Sequence, residues 1–392
     1  MSARKQRSIG FRVLRGASLF VLLVAIAALV DGCAAFGYRA SGERRVRVLH
    51  SPEWREGEFH NPQPIINDVW HSITAIFKPS KDARPHEPVS VAVVDAKLYA
   101  TPPASGLRVT WLGHSSTLIE IDGIRVLTDP IFSERASPFG WIGPKRFYPP
   151  PLPLDQLPAI DAVVISHDHF DHLDYGTIKA LAHTNAIFIV PLGVGAHLAG
   201  WDIPAARIVE LDWWQHTRIG EVEITCAPAR HASGRTIVFD NDAKLWAGYA
   251  LRGPAHAAYY SGDSGLFPAL RQIGERLGPF DVTMIEVGQY NRAWPDWHMG
   301  PEQAVKAHQL LRGRLFIPVH WGLFALAAHG WTEPAERAIA AAQAAGVAIA
   351  VPRPGQSVEP SAPPPLERWW PTLPWKTGAE DPIVSSQMND AN

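Results

Sequence analysis

The chain has 392 residues, 46% hydrophobic and 19% charged, which is enough apolar mass for one large domain or two ordinary ones. A formal net charge of −2 argues against nucleic acid as the main partner, because such binders carry a basic excess or stripe. With only two cysteines, Cys33 and Cys226, there is no disulfide framework, and core packing is the default role for each of the 15 tryptophans.

The amino terminus reads as a signal-like or membrane-anchor segment over residues 1–33. Arg4, Lys5, Arg7, Arg12 and Arg15 precede an uncharged apolar run from Ala17 to Val30. That run is short for a membrane-spanning helix, which needs about 20 residues. The following Asp31-Gly32-Cys33-Ala34 resembles the cleavage box of bacterial lipoproteins, with Asp31 as a departure from it. A lipidated Cys33, an uncleaved anchor and an ordinary signal are the readings left open. All of them point to the cell envelope and to membrane association, with a cytoplasmic site as the remaining alternative.

Residues 34–105 are punctuated by proline and read as an extension wrapping the core, with a helix near Ile65–Phe77 and a solvated basic run at Arg44–Arg47. Regular structure begins near Gly106. Strands are expected at Leu107–Leu112, Thr117–Ile121, Ile124–Thr128, Ala162–Ile165 and Ile187–Val190. A helix capped by Asp174 is expected over Asp174–Ala182, and another after Pro191. Downstream strands follow at Glu221–Cys226, Thr236–Phe239, Leu245–Leu251, Ala257–Ser261, Val282–Glu286, Leu315–Pro318 and Ala348–Val351. Helices fall at Phe267–Leu277, Pro301–Arg312 and Glu333–Ala345. The catalytic-type domain thus spans 106–353, and 354–392 reads as a proline-rich tail on the surface.

The densest polar signal is Ser166-His167-Asp168-His169-Phe170-Asp171-His172, placed where a short β-branched strand ends. Imidazole and carboxylate are the usual ligands of zinc and its neighbours. Four later features also put a His or Asp just past a strand or before a helix: His231, Asp263 in Ser261-Gly262-Asp263-Ser264-Gly265, His298 and His320. In sheet-plus-helix folds that edge is where sites are built.

This order, His-x-His-x-Asp-His, then His, Asp and a final His, resembles the metallo-β-lactamase superfamily over about residues 106–353. The resemblance implies an α/β fold, an αβ/βα four-layer sandwich of two mixed β-sheets flanked by helices. It implies two metal ions, His167, His169 and His231 holding one, Asp171, His172 and His320 the other, and Asp263 bridging. Two Zn2+ are the expected cofactors, with Fe or Mn as alternatives. Trp111-Leu112-Gly113-His114-Ser115-Ser116, Thr128-Asp129-Pro130-Ile131-Phe132-Ser133, Gly143-Pro144-Lys145-Arg146, Ser233-Gly234-Arg235 and Pro301-Glu302-Gln303-Ala304-Val305 narrow the likeness. They resemble the branch containing N-acylphosphatidylethanolamine-hydrolysing phospholipase D.

In that branch a His matched by His298 and an aromatic matched by Phe170 bind substrate; Phe170 stands where the branch has Tyr. The resemblance implies a hydrolase that cleaves an N-acylphosphatidylethanolamine-like lipid to phosphatidic acid and N-acylethanolamine through metal-bound hydroxide, with Asp171 and His298 as catalytic residues. The alternatives are a lactonase or other ester hydrolase of the same fold, and a non-catalytic envelope or lipid-binding protein. The expected partners are a phospholipid or other small ester and the membrane; a homodimer is left open. Asp168 and His114 are read as residues behind the ligands or as loop polar groups, and Arg146 and Arg235 as phosphate partners or structural salt bridges. Trp213, Trp214, Trp294 and Trp297 are candidates for an acyl groove, and His183, His197, His216, His256, His308 and His329 as surface or packing residues.

Overall fold

Strands that alternate two apolar faces need a layer on each side. In the computed structural model, which describes residues 32–66, 68, 70–71, 78–236 and 240–386, the first half of the chain does this with seven strands. A small hairpin, β1 (Trp54–Arg55) and β2 (Glu58–Phe59), precedes them. The large sheet is built from β3 (Leu107–Gly113), β4 (Ser116–Ile121), β5 (Ile124–Thr128), β6 (Ala162–Val164), β7 (Ile187–Pro191), β8 (Ile208–Leu211) and β15 (Ser357–Val358). Its order is β15-β3-β4-β5-β6-β7-β8, antiparallel up to β5 and parallel from there to β8.

The second sheet repeats the plan. It holds β9 (His216–Ile219), β10 (Val222–Ala227), β11 (Gly248–Arg252), β12 (Ala257–Tyr260), β13 (Phe280–Glu286) and β14 (Gly313–Val319) in the order β14-β13-β12-β11-β10-β9. Pairing is antiparallel from β9 to β12 and parallel from β12 to β14. One face of each sheet meets the other: Val109, Trp111, Ile119, Val126 and Val164 join Ile224, Leu251, Met284 and Ile317 in one core. The opposite face of the first sheet carries Leu112, Leu118, Leu127 and Val163. These pack with Ile178 of α2 (Tyr175–Leu181) and Leu198 of α3 (Gly195–Gly200); α1 is the earlier Gly42–Leu49. Helices α4 (Ala269–Leu277), α5 (Pro301–Leu310) and α6 (Glu333–Ala345) add Leu270, Ile273, Ala304, Ala307 and Ala335 to the core of the second half. The result is the expected αβ/βα sandwich with two mixed sheets.

Most expected elements form within a residue or two, and β5 and α6 have the expected bounds. Asp174 caps α2 by accepting from the Gly176 N–H at 3.2 Å. The leader over 1–31, most of the helix expected near 65–77 and most of the strand expected at 236–239 lie outside the described residues. The strand expected at Ala348–Val351 is a single bridge between Ile349 and Phe316. Helix α1 and strands β8, β9 and β15 were not anticipated. β9 (His-Thr-Arg-Ile) has no residue below the half-buried class, so its pairing with β10, not its own composition, makes it a strand. The tail, mostly exposed or half-buried, is anchored by its tryptophans: Trp370 is buried, and Trp369 and Trp370 pack on Trp321, whose ring stacks on Trp111 at 5.3 Å. Among the described residues no helix is long and apolar enough to cross a membrane.

Candidate metal centre

The loops leaving β6, β10, β12 and β14 all open at one edge of the sandwich, and the predicted residues meet there. His167 Nε2 lies 2.8 Å from His169 Nδ1, which lies 3.3 Å from His231 Nε2. Beside this trio, Asp171 Oδ2 lies 3.4 Å from His172 Nε2 and 3.4 Å from His320 Nε2. Asp263 stands between the groups. Its Oδ2 is 3.1 Å from His172 Nε2 and from His320 Nε2, 3.9 Å from His167 Nε2 and 3.8 Å from His231 Nε2. All seven residues expected to act together are therefore in one cluster.

Burial is nearly complete except at the opening, where His169, Phe170, Asp171 and His298 are half-buried. Three site residues hold left-handed backbones, His114 (φ 51°), Asp129 (φ 31°) and His320 (φ 64°), the first and last locked by the His320 N–H donating to His114 O at 2.9 Å. Such conformations persist in non-glycine residues where the surroundings over-determine them, as at functional sites.

The electrostatics divide the cluster in two. Burial, with neighbouring imidazoles, holds His167 well below the ordinary histidine range; burial also lowers His169 and His231. Neutral imidazoles expose the lone pairs that a cation needs. In the other group burial opposes charge, but Asp263 and Asp171 outweigh it and push His320 up to about 10, while His172 is raised by Asp263, Asp171 and Asp129. Asp171 and Asp263 are held well below the carboxylate range by the imidazoles despite burial. That half therefore demands positive charge beside its carboxylates.

The donor set suits a metal ion. His172 Nε2, both ring nitrogens of His320 and Asp263 Oδ1 are buried without a hydrogen bond of acceptable geometry, an arrangement that a bound ion explains. His167, His169 and His231 offer donor atoms within 4.8 Å of one another, as do Asp171, His172, His320 and His114. The far nitrogens are anchored in the manner of metal-ligating histidines. His231 Nδ1 donates to Trp297 O at 2.9 Å, His172 Nδ1 to Asp129 Oδ2 at 2.6 Å, and His167 Nδ1 lies 2.9 Å from Ser166 Oγ.

Two supporting residues, Asp129 and Glu286, had no role assigned from the sequence. Asp129 is fully buried and also receives the Ser166 N–H at 2.7 Å and the hydroxyls of Ser166 and Tyr260. Glu286, at the end of β13, accepts from the Ser264 N–H at 2.7 Å through Oε1 and pairs with His298 Nδ1 at 2.7 Å through Oε2. The signal for Asp129 was the Asp-Pro that ends β5. Nothing local marked Glu286, whose strand reads as ordinary core. His114, fully buried and pushed down to about 4 mainly by burial, contacts Asp171 Oδ2 through Nε2 at 2.9 Å and so orients that carboxylate.

Other expected residues stand outside the cluster. Of its two readings, surface or packing, His197 takes the second: fully buried, it lies 3.1 Å from Asp168 through Nε2 and accepts the Tyr38 N–H at 2.7 Å through Nδ1. Asp168 turns away from the cluster toward His197, Lys244 at 3.5 Å and the Gly234 N–H at 2.7 Å. Arg146 and Arg235 are buried and spend their donors on backbone carbonyls, those of Tyr148 and Phe132 and those of Ala35, Asp168 and Leu173. Of these donors, Arg235 Nη2 is left buried without a hydrogen bond among the described residues. Trp213 donates to Trp246 O in the core and Trp214 lies under Arg276, whereas Trp294 and Trp297 form a small cluster beside the site with Ala293 and Ala327.

Comparison with known proteins agrees with this geometry. A family profile described as "Beta-lactamase superfamily domain" matches residues 124–321. An uncharacterized protein of Mycobacterium tuberculosis is 47% identical over 347 residues, 86% of this chain and 92% of that one. An N-acyl-phosphatidylethanolamine-hydrolyzing phospholipase D 1 of Caenorhabditis elegans is 36% identical over 290 residues, 68% of this chain and 81% of that one. Among solved structures, an isothiocyanate hydrolase from Delia radicum gut bacteria superposes with a TM-score of 0.51 at 16% identity, over 64% of this chain and 98% of that chain, a likeness of fold alone. With the profile spanning half of the chain and relatives of this identity along most of their length, the chain belongs to the metallo-β-lactamase superfamily.

Proposed function

We propose that this chain is a metal-dependent hydrolase with a two-ion centre, and that it is a phosphodiesterase of the phospholipase D type acting on N-acylphosphatidylethanolamine-like lipids. The observation that carries the reading is Asp263 Oδ2, within 3.9 Å of imidazole nitrogens from both halves of the cluster. The 36% identity to the nematode phospholipase D supports the substrate class. His167, His169 and His231 would hold one ion, Asp171, His172 and His320 the other, and Asp263 both; zinc is the first choice, with iron or manganese as alternatives. Bound there, such ions lower the pKa of water to about 7 and offset charge on a phosphoryl group.

The remaining steps belong to the protein. Asp171, with His114 on Oδ2, presents its carboxylate to the opening and orients the attacking water. His298 is fixed through Nδ1 by Glu286, which leaves Nε2 to hydrogen-bond a phosphoryl oxygen or to protonate the leaving alkoxide. Phe170 supplies an apolar wall. Because it lacks the hydroxyl expected in the resembling branch, hydrolysis of a lactone or another ester is the second reading.

Purified protein loaded with zinc and given N-acylphosphatidylethanolamine decides between them. Equimolar phosphatidic acid and N-acylethanolamine are expected, and Asp263→Ala should abolish both turnover and tight metal binding. Lactone turnover with no phosphatidic acid would reject the phosphodiesterase reading.

A further inference from the structure

A file of aromatic rings leads from the surface to the site opening. Trp141 and Ile142, adjacent in the loop 137–143, are 66% and 52% exposed, a costly placement for two large apolar side chains in water. The Trp141 ring lies 5.5 Å from Phe139, Phe139 lies 6.0 Å edge-on to Phe36, and Phe36 lies 5.9 Å edge-on to Phe170. Phe170 is one residue from Asp171, whose carboxylate faces the opening, and Arg235 lies 4.0 Å beneath its ring. The other end of this file touches the amino-terminal segment: Gly32 is so close to Phe139 that a Cβ there would fall 2.2 Å from the ring. Gly32, the first described residue, thus lies at this same patch; in the sequence it follows the uncharged run Ala17–Val30 and five cations, and no acidic residue precedes Asp31.

We infer that this face docks on an anionic bilayer surface, with Trp141 and Ile142 inserted among the lipids and the Phe139–Phe36–Phe170 file bordering the path of a lipid chain into the site. Three observations favour a bilayer over a second copy of the chain. The adjoining leader is apolar rather than patterned for a protein interface. Its flank is purely basic, and each such residue contributes about 1 kcal/mol near an anionic leaflet. Tryptophan is also favoured at the boundary of lipid and water. The consequence for turnover rests on the lipid-substrate reading above, whereas the docking itself does not.

The test uses the full chain and vesicles of phosphatidylethanolamine with phosphatidylglycerol. Hydrogen exchange across residues 137–146 should slow when vesicles are added, and Trp141→Ser with Ile142→Ser should remove that protection. The same double variant should lose at least about tenfold in turnover of vesicle-embedded N-acylphosphatidylethanolamine, the least that withdrawing one such side chain from an apolar phase costs. Turnover of a water-soluble phosphodiester and bound metal should be unchanged. Exchange in the loop that ignores vesicles overturns the proposal, as does equal slowing at high protein concentration without lipid, which would mean that a second copy covers the patch. If the wild type turns over no phosphodiester, the catalytic reading fails and the exchange measurement still decides the docking.

Discussion

Replacing Asp129 by Asn tests whether the metal-binding geometry is held from behind. Asp129 Oδ1 accepts the Ser166 N–H at 2.7 Å, while Oδ2 takes His172 Nδ1 at 2.6 Å and the hydroxyls of Ser166 and Tyr260. Asparagine keeps the volume, tolerates the left-handed backbone at this position (φ 31°) and keeps the Ser166 N–H bond through its amide oxygen. Its NH2 group, however, would face three donors. The two hydroxyls can rotate and accept instead. The imidazole can do so only by moving its proton to Nε2, the nitrogen that faces Asp171 and Asp263. The ring then loses the lone pair needed by a cation.

Loss of such a carboxylate–histidine contact lowers metal affinity about 10- to 100-fold, or about 1.4–2.7 kcal/mol. The metal-free fold should lose about 1.5–3 kcal/mol with the charge-assisted bond. Competition of the protein with a chromogenic chelator for zinc measures the first quantity, and urea unfolding of the chelated protein the second. A folded Asp129→Asn variant whose zinc affinity stays within about twofold of wild type would refute the reasoning, since the effect rests on this contact.

Two further outcomes follow from buried groups around the site. Glu286→Gln removes the charge that holds His298 Nδ1 at 2.7 Å and lies 3.6 Å from His320 Nδ1, so at saturating zinc kcat should fall by about tenfold or more; an unaltered kcat would show that His298 is positioned by something else. His308, buried in α5 against Thr283 Oγ1 at 2.8 Å, is pushed by burial from 6.5 down to about 4. It stays neutral in the folded chain but protonates near 6.5 once unfolded, so its contribution is intact above that pH and lost as pH falls toward 4. Between pH 7 and pH 5 the wild type should lose about 2 kcal/mol more stability than His308→Gln, and equal losses would contradict the burial argument.

The sequence by itself marked most of the strands and the cluster of polar residues that gathers at the site. Period-two apolar patterns at Leu107–Leu112, Ile124–Thr128 and Val282–Glu286 could satisfy two buried faces only as strands, and imidazoles packed two residues apart after a buried strand have few uses other than metal. It could not reveal what depends on pairing between distant segments. β9 and β15 are strands because a neighbouring edge supplies their hydrogen bonds, and Trp370 is buried and Trp369 half-buried because Trp111 and Trp321 offer a surface for them. The roles of Glu286 and His197 were equally invisible, since a carboxylate in a strand or an imidazole in a helix carries no local mark of its partner. Only the tertiary structure brought Asp129 to His172 across 43 residues, turned Asp168 away from the cluster its neighbours form, and set Asp263 between two groups of histidines. Local chemistry is written in the order of residues, whereas which groups end within about 3 Å of each other depends on how loops from separate strands converge at one edge of the sandwich.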